Sequence, residues 1–163
     1  MAQPLSTADL YDTFGERCQS CETQFKQYGG RRVFSGRVQT VECLADNVLL
    51  RKTLESPSHG EVLVVDGGAY MGTALVGDVI ARLGMENGWS GVVIYGAIRD
   101  SQAIGELNFG VKALGTNPRK SKKNGIGRVN VRVSFGGVAF VPGHWIYCDD
   151  DGILLSAEKL ESA

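Results

Sequence analysis

The alternation of apolar and polar side chains predicts short strands and helices that follow one another along the chain. The run RVFSGRVQTVEC alternates between apolar and polar residues, which is the pattern of a half-buried strand, here from Val33 to Cys43. Continuous apolar runs in EVLVVDGG and VVIYG predict buried strands, the second over Val92 to Tyr95. A helix is expected from Gly77 to Asn87, and its sheet-packed face should consist of Val76, Val79, Ile80 and Leu83.

Caps and chain breakers place the remaining elements. Ser6 and Thr7 can cap a helix that runs from Ser6 to Tyr28, where YGG stops it. Three further elements are a helix over Asn47–Glu55 that ends before Pro57, a helix over Ser101–Leu107 and a strand over Val111–Leu114. The C-terminal third, RVNVRVSFGGVAFVPGHWIYCDDDGILLS, is rich in strands with glycine and proline turns. This order predicts a layered α/β domain with a mixed sheet, both parallel and antiparallel.

Composition narrows the class of protein. A chain of 163 residues suits one domain, spanning residues 1–163, and 43% apolar with 21% charged residues is typical of a globular protein. The net charge of -1 gives no general reason to expect binding to nucleic acid or to a membrane. No apolar run approaches the roughly 18 residues of a membrane span, and the N-terminus lacks the pattern of a signal peptide. We therefore expect a cytoplasmic protein.

Cys18 and Cys21 form a CxxC pair. A structural zinc site needs a second pair of ligands, but the other two cysteines and both histidines are isolated in the sequence. A redox pair is expected after a strand at the start of a helix, whereas this pair falls inside the predicted first helix. Ordinary reduced thiols are therefore favoured over a zinc or redox site.

Two charged runs allow a structural and a chemical interpretation. NPRKSKKNG, from Asn117 to Gly125, is typical of a solvated loop, and contact with a phosphate or carboxylate is the second interpretation. Asp149, Asp150 and Asp151 precede Gly152, but they lack the alternating ligand spacing of a calcium loop. A tight turn between two strands is the favoured interpretation of this run.

A candidate site lies at the two ends of the helix–strand unit. The first turn of the helix, Gly77 to Ile80, offers free backbone N–H groups and the positive end of the helix dipole, which together bind anions. The strand VVIYG leads to Arg99 and Asp100, and ligands of α/β sheets collect beyond the carboxyl ends of strands. If the helix runs back in a β-α-β crossover, Asp78 meets Arg99 and Asp100 although twenty residues separate Asp78 from Arg99.

These residue types suit a small α-keto acid. Arginine grips a carboxylate or an enolate oxygen with two donors, and one aspartate with waters is a common ligand set for Mg²⁺ or Mn²⁺. Metal and arginine together would stabilise the enolate that forms when a carbon–carbon bond breaks. Tyr70 is a further candidate for the pocket wall. The plain alternative is that Asp78 is an ordinary first-turn residue and that Arg99 and Asp100 form a surface turn.

The motif LVVDGG…ALVGDVIARLGMENGWSGVVIYGAIRD resembles one family over nearly the whole chain. The family joins the regulator of ribonuclease E activity A to the 4-hydroxy-4-methyl-2-oxoglutarate aldolases. The resemblance implies a swivelling β/β/α domain, assembled as a ring-shaped homotrimer with active sites between protomers. It also implies a divalent-metal aldolase that forms two pyruvates from 4-hydroxy-4-methyl-2-oxoglutarate and decarboxylates oxaloacetate through the same pyruvate enolate.

The resemblance assigns roles by position. The amides of Gly77, Asp78, Val79 and Ile80 would bind the substrate carboxylate, with Asp78 also acting through a water as acid, base or outer metal ligand. Arg99 would bind the keto acid and stabilise the enolate, and Asp100 would hold the metal. Two departures concern the aldolase substrate: Ala103 stands where the aldolases carry an acidic residue, and the C-terminal extension of longer aldolases is missing.

The alternative function is a non-catalytic regulator that binds and inhibits ribonuclease E. The resemblance implies that this branch lacks the aspartate after the arginine, so Asp100 favours the enzyme. A methyltransferase, a name sometimes given to such chains, is not expected, because no glycine-rich nucleotide loop is followed by an acidic residue at the end of the next strand.

Overall fold

A computed structural model describes residues 6–161, in which short helices and strands alternate. The helices are α1 (Thr7–Phe14), α2 (Val48–Glu55), α3 (Asp78–Glu86) and α4 (Ser101–Gly105). The strands are β1 (Gln19–Ser20), β2 (Lys26–Gln27), β3 (Phe34–Glu42), β4 (Val62–Asp66), β5 (Ala74–Val76), β6 (Gly91–Ile98), β7 (Gly110–Thr116), β8 (Arg128–Val129), β9 (Val133–Phe135), β10 (Val138–Phe140), β11 (Trp145–Asp149) and β12 (Gly152–Ser156).

Most strands form one mixed sheet in the order β1-β12-β11-β3-β4-β6-β7-β2. Its centre, β3-β4-β6-β7, is parallel, and the strands on either side pair antiparallel. Strand β5 adds to the end of β6, β8 pairs with β3, and β9 with β10 forms a separate hairpin. The structure therefore confirms the α/β fold with a mixed central sheet.

Apolar side chains cover both faces of the parallel centre, and alternate residues of each strand face opposite sides. One cluster joins Leu63 and Val65 of β4 to the buried faces of α2, α3 and α4. The other joins Val62 and Val64 of β4 to aromatic and aliphatic side chains of β3 and β9 to β12. Burial on both faces explains why β4 and β6 are continuous apolar runs in the sequence.

The predicted first helix, Ser6 to Tyr28, is wrong beyond its second turn. Helix α1 ends at Phe14 because Gly15 has a φ of 52°, in the left-handed region that glycine adopts without strain. After one 3-10 turn the chain enters β1, which pairs with β12. Cys18 and Cys21 therefore flank a strand instead of lying inside a helix, and both thiols are free and buried.

The packed face of α3 also differs from the prediction. Ile80, Ala81 and Gly84 are buried, whereas Val79 is 60% exposed. A Cβ atom at Gly84 would lie 3.0 Å from the Phe109 ring, so the absence of a side chain there lets the helix approach its neighbours closely. Two of these three buried residues are small, so the pattern of large apolar residues identifies only Ile80 among them. Val76, expected in the same face, belongs to β5.

Other expectations hold with shifted bounds. The predicted strand Val33–Cys43 and helix Asn47–Glu55 correspond to β3 and α2. The strand that follows α3 runs on to Ile98, three residues past the predicted end, and the three-residue β5 had no counterpart among the predicted elements. The expected turn at Asp149–Asp151 is confirmed, since it joins β11 to β12. Within residues 6–161, no helix has both the length and the apolar character needed to cross a bilayer.

Candidate active site

The expected crossover brings the predicted site residues to one edge of the sheet. Strand β5 runs parallel to the end of β6, with Ala74 opposite Ala97 and Val76 opposite Ile98. The N–H of Arg99 donates to the carbonyl of Val76 at 2.9 Å, which continues the ladder beyond β6. Because α3 follows β5 after a single residue, its first turn lies at this same edge.

Asp78 and Asp100 are in direct contact. The backbone N–H of Asp78 donates to Oδ2 of Asp100 at 3.2 Å, so the carboxylate lies at the positive end of α3. Asp100 has φ 56° and ψ 41°, a left-handed conformation that is uncommon outside glycine but that aspartate tolerates better than most residues. Such backbone strain, of order 1–3 kcal/mol, persists where surrounding structure enforces it and clusters at functional sites.

Gly77 leaves the space that this contact occupies. A Cβ atom at position 77 would lie 2.7 Å from Oδ2 of Asp100 and 3.4 Å from Cγ and Nε of Arg99. The backbone of Gly77 is extended, with φ -117°, so any residue could adopt its conformation. It is therefore the close approach of Arg99 and Asp100 that favours glycine here.

The Arg99 side chain is partly exposed and lightly held. Its Nη1 donates to the carbonyl of Pro118 at 3.4 Å. Among residues 6–161, no carboxylate lies within 4.0 Å of its guanidinium nitrogens. Most donors of the guanidinium are therefore available for an anionic ligand.

Apart from the Asp78 carboxylate, the first turn of α3 can contribute backbone groups only. Val79 points to solvent and Ile80 packs into the core, so neither side chain faces the contact between Asp78 and Asp100. The first N–H groups of a helix have no acceptor inside the helix. Since the Asp78 N–H already binds Asp100, an incoming carboxylate would share this group of amides with the Asp100 side chain.

The residues at this edge fit a hard divalent cation that completes its shell with ligand and water. Asp100 is exposed and Asp78 is partly exposed, and both are oxygen donors. Across residues 6–161, no group of three or more His, Cys, Asp or Glu side chains is arranged to hold a metal. One or two carboxylates suit Mg²⁺, which keeps several waters, but not a closed four-ligand zinc site.

The basic run between Asn117 and Gly125 is a neighbour that sequence reasoning did not connect to the site. Its charged side chains are solvated, as predicted, but its backbone is ordered against β5. The Asn117 side chain donates to the Met71 carbonyl at 2.8 Å and accepts from the Arg119 N–H at 2.9 Å. The N–H of Ala74 donates to the Arg119 carbonyl at 2.7 Å.

A buried polar network holds the backbone of this loop in place. Ser121 donates to the Ala74 carbonyl at 2.6 Å and lies 3.1 Å from the Thr73 hydroxyl. Asp46, 3% exposed, accepts from the N–H groups of Asn124 at 2.8 Å and Ile126 at 3.3 Å. Burial alone would raise the pKa of Asp46, but these and neighbouring backbone N–H groups lower it overall. No spacing in the sequence predicts such a network, because Asp46, Thr73 and Ser121 belong to separate segments of the chain.

Tyr70 is 43% exposed and its hydroxyl packs against Gly72. Its role in the pocket wall stays a prediction, because among residues 6–161 the Tyr70 side chain forms no hydrogen bond with Arg99 or Asp100.

Comparison with known proteins agrees with the resemblance in the sequence. The model of the family RraA-like, described as Aldolase/RraA, matches residues 7–155. The chain belongs to the RraA-like family. The family description names both an aldolase and RraA.

Solved structures of RraA-like proteins superpose closely on the chain. One, described as S-adenosylmethionine:2-dimethylmenaquinone methyltransferase from Geobacillus kaustophilus HTA426, shares 46% identity with a TM-score of 0.95, covering 98% of this chain and 100% of that one. The RNA-processing inhibitor RraA from Thermus thermophilus shares 42% identity with a TM-score of 0.94, covering 99% and 98%. RraAS2 from Streptomyces coelicolor, described as an unusual member of the RNase ES inhibitor RraA family, shares 27% identity with a TM-score of 0.76, covering 93% and 79%.

Proposed function

We propose that this RraA-like protein is a divalent-metal-dependent lyase that generates a pyruvate enolate. Its reactions would be cleavage of 4-hydroxy-4-methyl-2-oxoglutarate into two pyruvates and decarboxylation of oxaloacetate. The observation that carries the proposal is the contact of Asp100 with the first N–H of α3, beside the Arg99 guanidinium, which has no carboxylate partner among residues 6–161. An anion-binding helix start, a cation and an exposed carboxylate together match the groups of an α-keto acid and its metal.

Arg99 and the first turn of α3 would bind and orient the substrate. The backbone N–H groups of Val79 and Ile80 would donate to the C1 carboxylate, as helix starts do for anions. Arg99 would donate to the C2 carbonyl oxygen, where negative charge develops as the enolate forms. The guanidinium makes one long hydrogen bond, to Pro118, so it is free to take up this role.

Asp100 would hold the metal, Mg²⁺ or Mn²⁺, with Asp78 nearby. When bound, the ion supplies a Lewis acid that polarises the keto acid and stabilises its enolate. The exposed carboxylate of Asp100 fits this role, because one protein carboxylate with waters is an ordinary Mg²⁺ ligand set.

Asp78 would act through a water as the general base of the aldol reaction. It would take the proton of the C4 hydroxyl through a water, the C3–C4 bond would break, and its electron pair would move into the C2–C3 enolate. Protonation at C3 then gives one pyruvate, while C4 becomes the carbonyl carbon of the other. Oxaloacetate loses its C4 carboxylate as CO₂ and needs no hydroxyl deprotonation, so that reaction does not depend on the acidic residue that Ala103 replaces.

The proposal includes a homotrimer in the cytoplasm, with sites completed between protomers and without direct contacts to nucleic acid or membrane. In support, several large apolar side chains are exposed on the single chain. They include Leu44 at 68%, Val79 at 60% and Ile126 at 69%. Val79 belongs to the first turn of α3, which would place an assembly contact next to the site.

A second candidate function is inhibition of ribonuclease E by direct binding. It is supported by the similarity to the Thermus thermophilus inhibitor RraA over almost the full length of both chains. A surface for a protein partner could coexist with the proposed active site, so the two functions need separate assays.

The test is pyruvate release from both substrates, measured with Mg²⁺ and then with excess chelator, against a blank without enzyme. We expect chelator-sensitive turnover that disappears in Arg99→Ala and survives in Arg82→Ala, an exposed arginine on the same helix–strand unit. Absence of turnover of both substrates would contradict the lyase. Inhibition of ribonuclease E by the same preparation would then support the second candidate.

A further inference from the structure

Four exposed cationic side chains lie in the loop beside the site. Arg119, Lys120, Lys122 and Lys123 are all exposed. Among residues 6–161, no carboxylate lies within 4.0 Å of their charged nitrogens. Like charges this close in sequence repel one another, and a mobile loop would relieve the repulsion by spreading.

The backbone of this loop is held in place along its length. The carbonyl of Arg119 accepts from Ala74, the Lys122 N–H donates to the Ala45 carbonyl at 2.8 Å, and the Lys122 carbonyl accepts from Asn47 at 3.2 Å. The Ser121 side chain is buried and bonded to Ala74. The fold therefore presents the four charges from an ordered backbone, which is what recognition of an anionic group requires.

The two ends of the loop have different neighbours. The Pro118 carbonyl accepts from the Arg99 guanidinium. The backbone of Lys120 forms a β-bridge with Ala74 of β5, the strand that leads to Gly77. Arg119 and Lys120 thus belong to the same sheet edge as Arg99. The backbone of Lys122 instead pairs with that of Asp46 in a β-bridge, and the Asn124 N–H donates to the carboxylate of Asp46. Lys123 lies at this second end.

We infer that Arg119 and Lys120 bind the second carboxylate of a dianionic α-keto acid and so determine substrate specificity. The inference rests on the proposed function, in which Arg99 and the start of α3 hold the C1 carboxylate and the keto group. A distal carboxylate on the same substrate would extend towards the neighbouring loop. Charge-assisted hydrogen bonds to it would offset the repulsion between the two cations.

Binding of the distal carboxylate by Arg119 and Lys120 would affect the two proposed reactions differently. In 4-hydroxy-4-methyl-2-oxoglutarate the C5 carboxylate stays charged and leaves on the second pyruvate, so cations stabilise it throughout the reaction. In oxaloacetate the C4 carboxylate becomes neutral CO₂ as the C3–C4 bond breaks. A cation on that group stabilises the ground state more than the transition state and slows the step. The loop therefore favours aldol cleavage over decarboxylation.

The experiment compares three activities of the full-length protein in Arg119→Gln, Lys120→Gln and the double variant. These activities are cleavage of 4-hydroxy-4-methyl-2-oxoglutarate, decarboxylation of oxaloacetate, and exchange of the pyruvate methyl protons in D₂O followed by NMR. Pyruvate has no second carboxylate, so its exchange reports the enolate site alone. Lys123→Gln is the matched control, since it removes one charge from the other end of the loop. Arg119→Lys tests rescue by a retained charge.

We expect the double variant to lose about 10- to 100-fold in kcat/KM for aldol cleavage. In the same double variant, pyruvate exchange and kcat for decarboxylation should not fall. Lys123→Gln should match the wild type in all three activities. Arg119→Lys should recover part of the aldol activity that Arg119→Gln loses. Unchanged aldol cleavage in the double variant, or an equal loss of all three activities, would overturn the inference and leave the lyase intact. A wild type silent in all three would overturn the lyase itself, and with it the inference. Proton exchange in a wild type that cleaves neither dianionic substrate would overturn both the inference and the two lyase reactions, and would leave only enolate formation at Arg99.

Discussion

The N–H of Asp78 donates to the carboxylate of Asp100 at 3.2 Å, across 22 residues of sequence. This contact joins the start of α3 to the turn after β6, and Asp100 makes it from a left-handed backbone conformation. The same carboxylate is the proposed metal ligand. Asp100 therefore combines a structural contact with a chemical role, and the two can be separated by substitution.

Asp100→Asn should keep the fold and lose the activity. Asparagine tolerates the left-handed conformation and retains an oxygen that can accept from the Asp78 N–H, so we expect unfolding stability within about 1 kcal/mol of the wild type. Without the anionic oxygen, metal-dependent pyruvate release should fall by a factor of about 100 or more. Thermal unfolding and the coupled pyruvate assay measure the two effects. Full activity with unchanged metal dependence would contradict the assignment of Asp100.

Gly77→Ala should impair turnover by crowding. The added Cβ atom would lie 2.7 Å from Oδ2 of Asp100, so the carboxylate or the first turn of α3 must shift. Because the backbone at Gly77 is extended, the substitution adds no conformational strain, and we expect a stability loss of only about 1 kcal/mol. A shift of this size at a reacting group can cost about 100-fold in rate.

Gly105→Ala is the matched control for this crowding. A Cβ atom at Gly105, at the end of α4, meets only the Tyr28 carbonyl at 3.5 Å, an ordinary contact. We expect unchanged kcat/KM in that variant. Equal losses in both alanine variants would indicate a general effect on the fold rather than crowding of Asp100.

The sequence predicts the strands that carry the site better than it predicts the basic loop beside the site. The alternation in β3 and the apolar runs of β4 and β6 follow directly from burial of one or both faces of the sheet. The position of Arg99 next to α3 follows from the geometry of a crossover. The order of the basic loop could not be predicted, because Asp46 and Ala74, which hold it, are tens of residues away in sequence. The end of α1 depends on one left-handed glycine, Gly15, inside an otherwise helical pattern.

Arg99→Ala should abolish keto-acid turnover while leaving the fold intact. Among residues 6–161 the guanidinium makes one long hydrogen bond, to Pro118, so its loss removes little native stabilisation. Removal of a donor to a developing oxyanion costs about 100- to 1000-fold in kcat. Arg99→Lys should recover only part of this loss, because a lysine lacks the planar two-donor geometry. Steady-state kinetics with oxaloacetate measure both variants, and wild-type rates in Arg99→Ala would rule out the proposed site.

The cysteine thiols should resist alkylation in the native protein. Burial raises the pKa of Cys18 and Cys21, and it raises that of Cys43 to about 12, so little thiolate exists near neutral pH. A thiol reagent at pH 8 should therefore label the native chain slowly and should label all four cysteines after denaturation. Rapid labelling of Cys18 or Cys21 in the native state would reopen a redox role for the CxxC pair.

The buried Asp46 should make stability depend on pH through the loop that it holds. Backbone N–H groups lower its pKa in the folded state against the opposing effect of burial, so its stabilisation is present above the unfolded value of about 3.9. That contribution is lost as the pH falls through the lower folded pKa. Asp149 has a lowered pKa as well, because Thr7 and neighbouring N–H groups overcome the effect of its burial, and it adds to the same acid sensitivity.

Asp46→Asn isolates the first of these two groups. The amide presents one weaker acceptor and one donor to N–H groups that need acceptors, so we expect a loss of about 2 kcal/mol at pH 7. As the pH falls below the unfolded value of about 3.9 and towards the lower folded pKa, the wild type loses the contribution of the carboxylate, so the difference between the two proteins should shrink. Urea unfolding at pH 7, pH 5 and about pH 2.5 measures this difference, and Asp12→Asn, at an exposed position on α1, should not differ from the wild type. A difference that stays constant with pH would mean that the charge of Asp46 does not stabilise the loop.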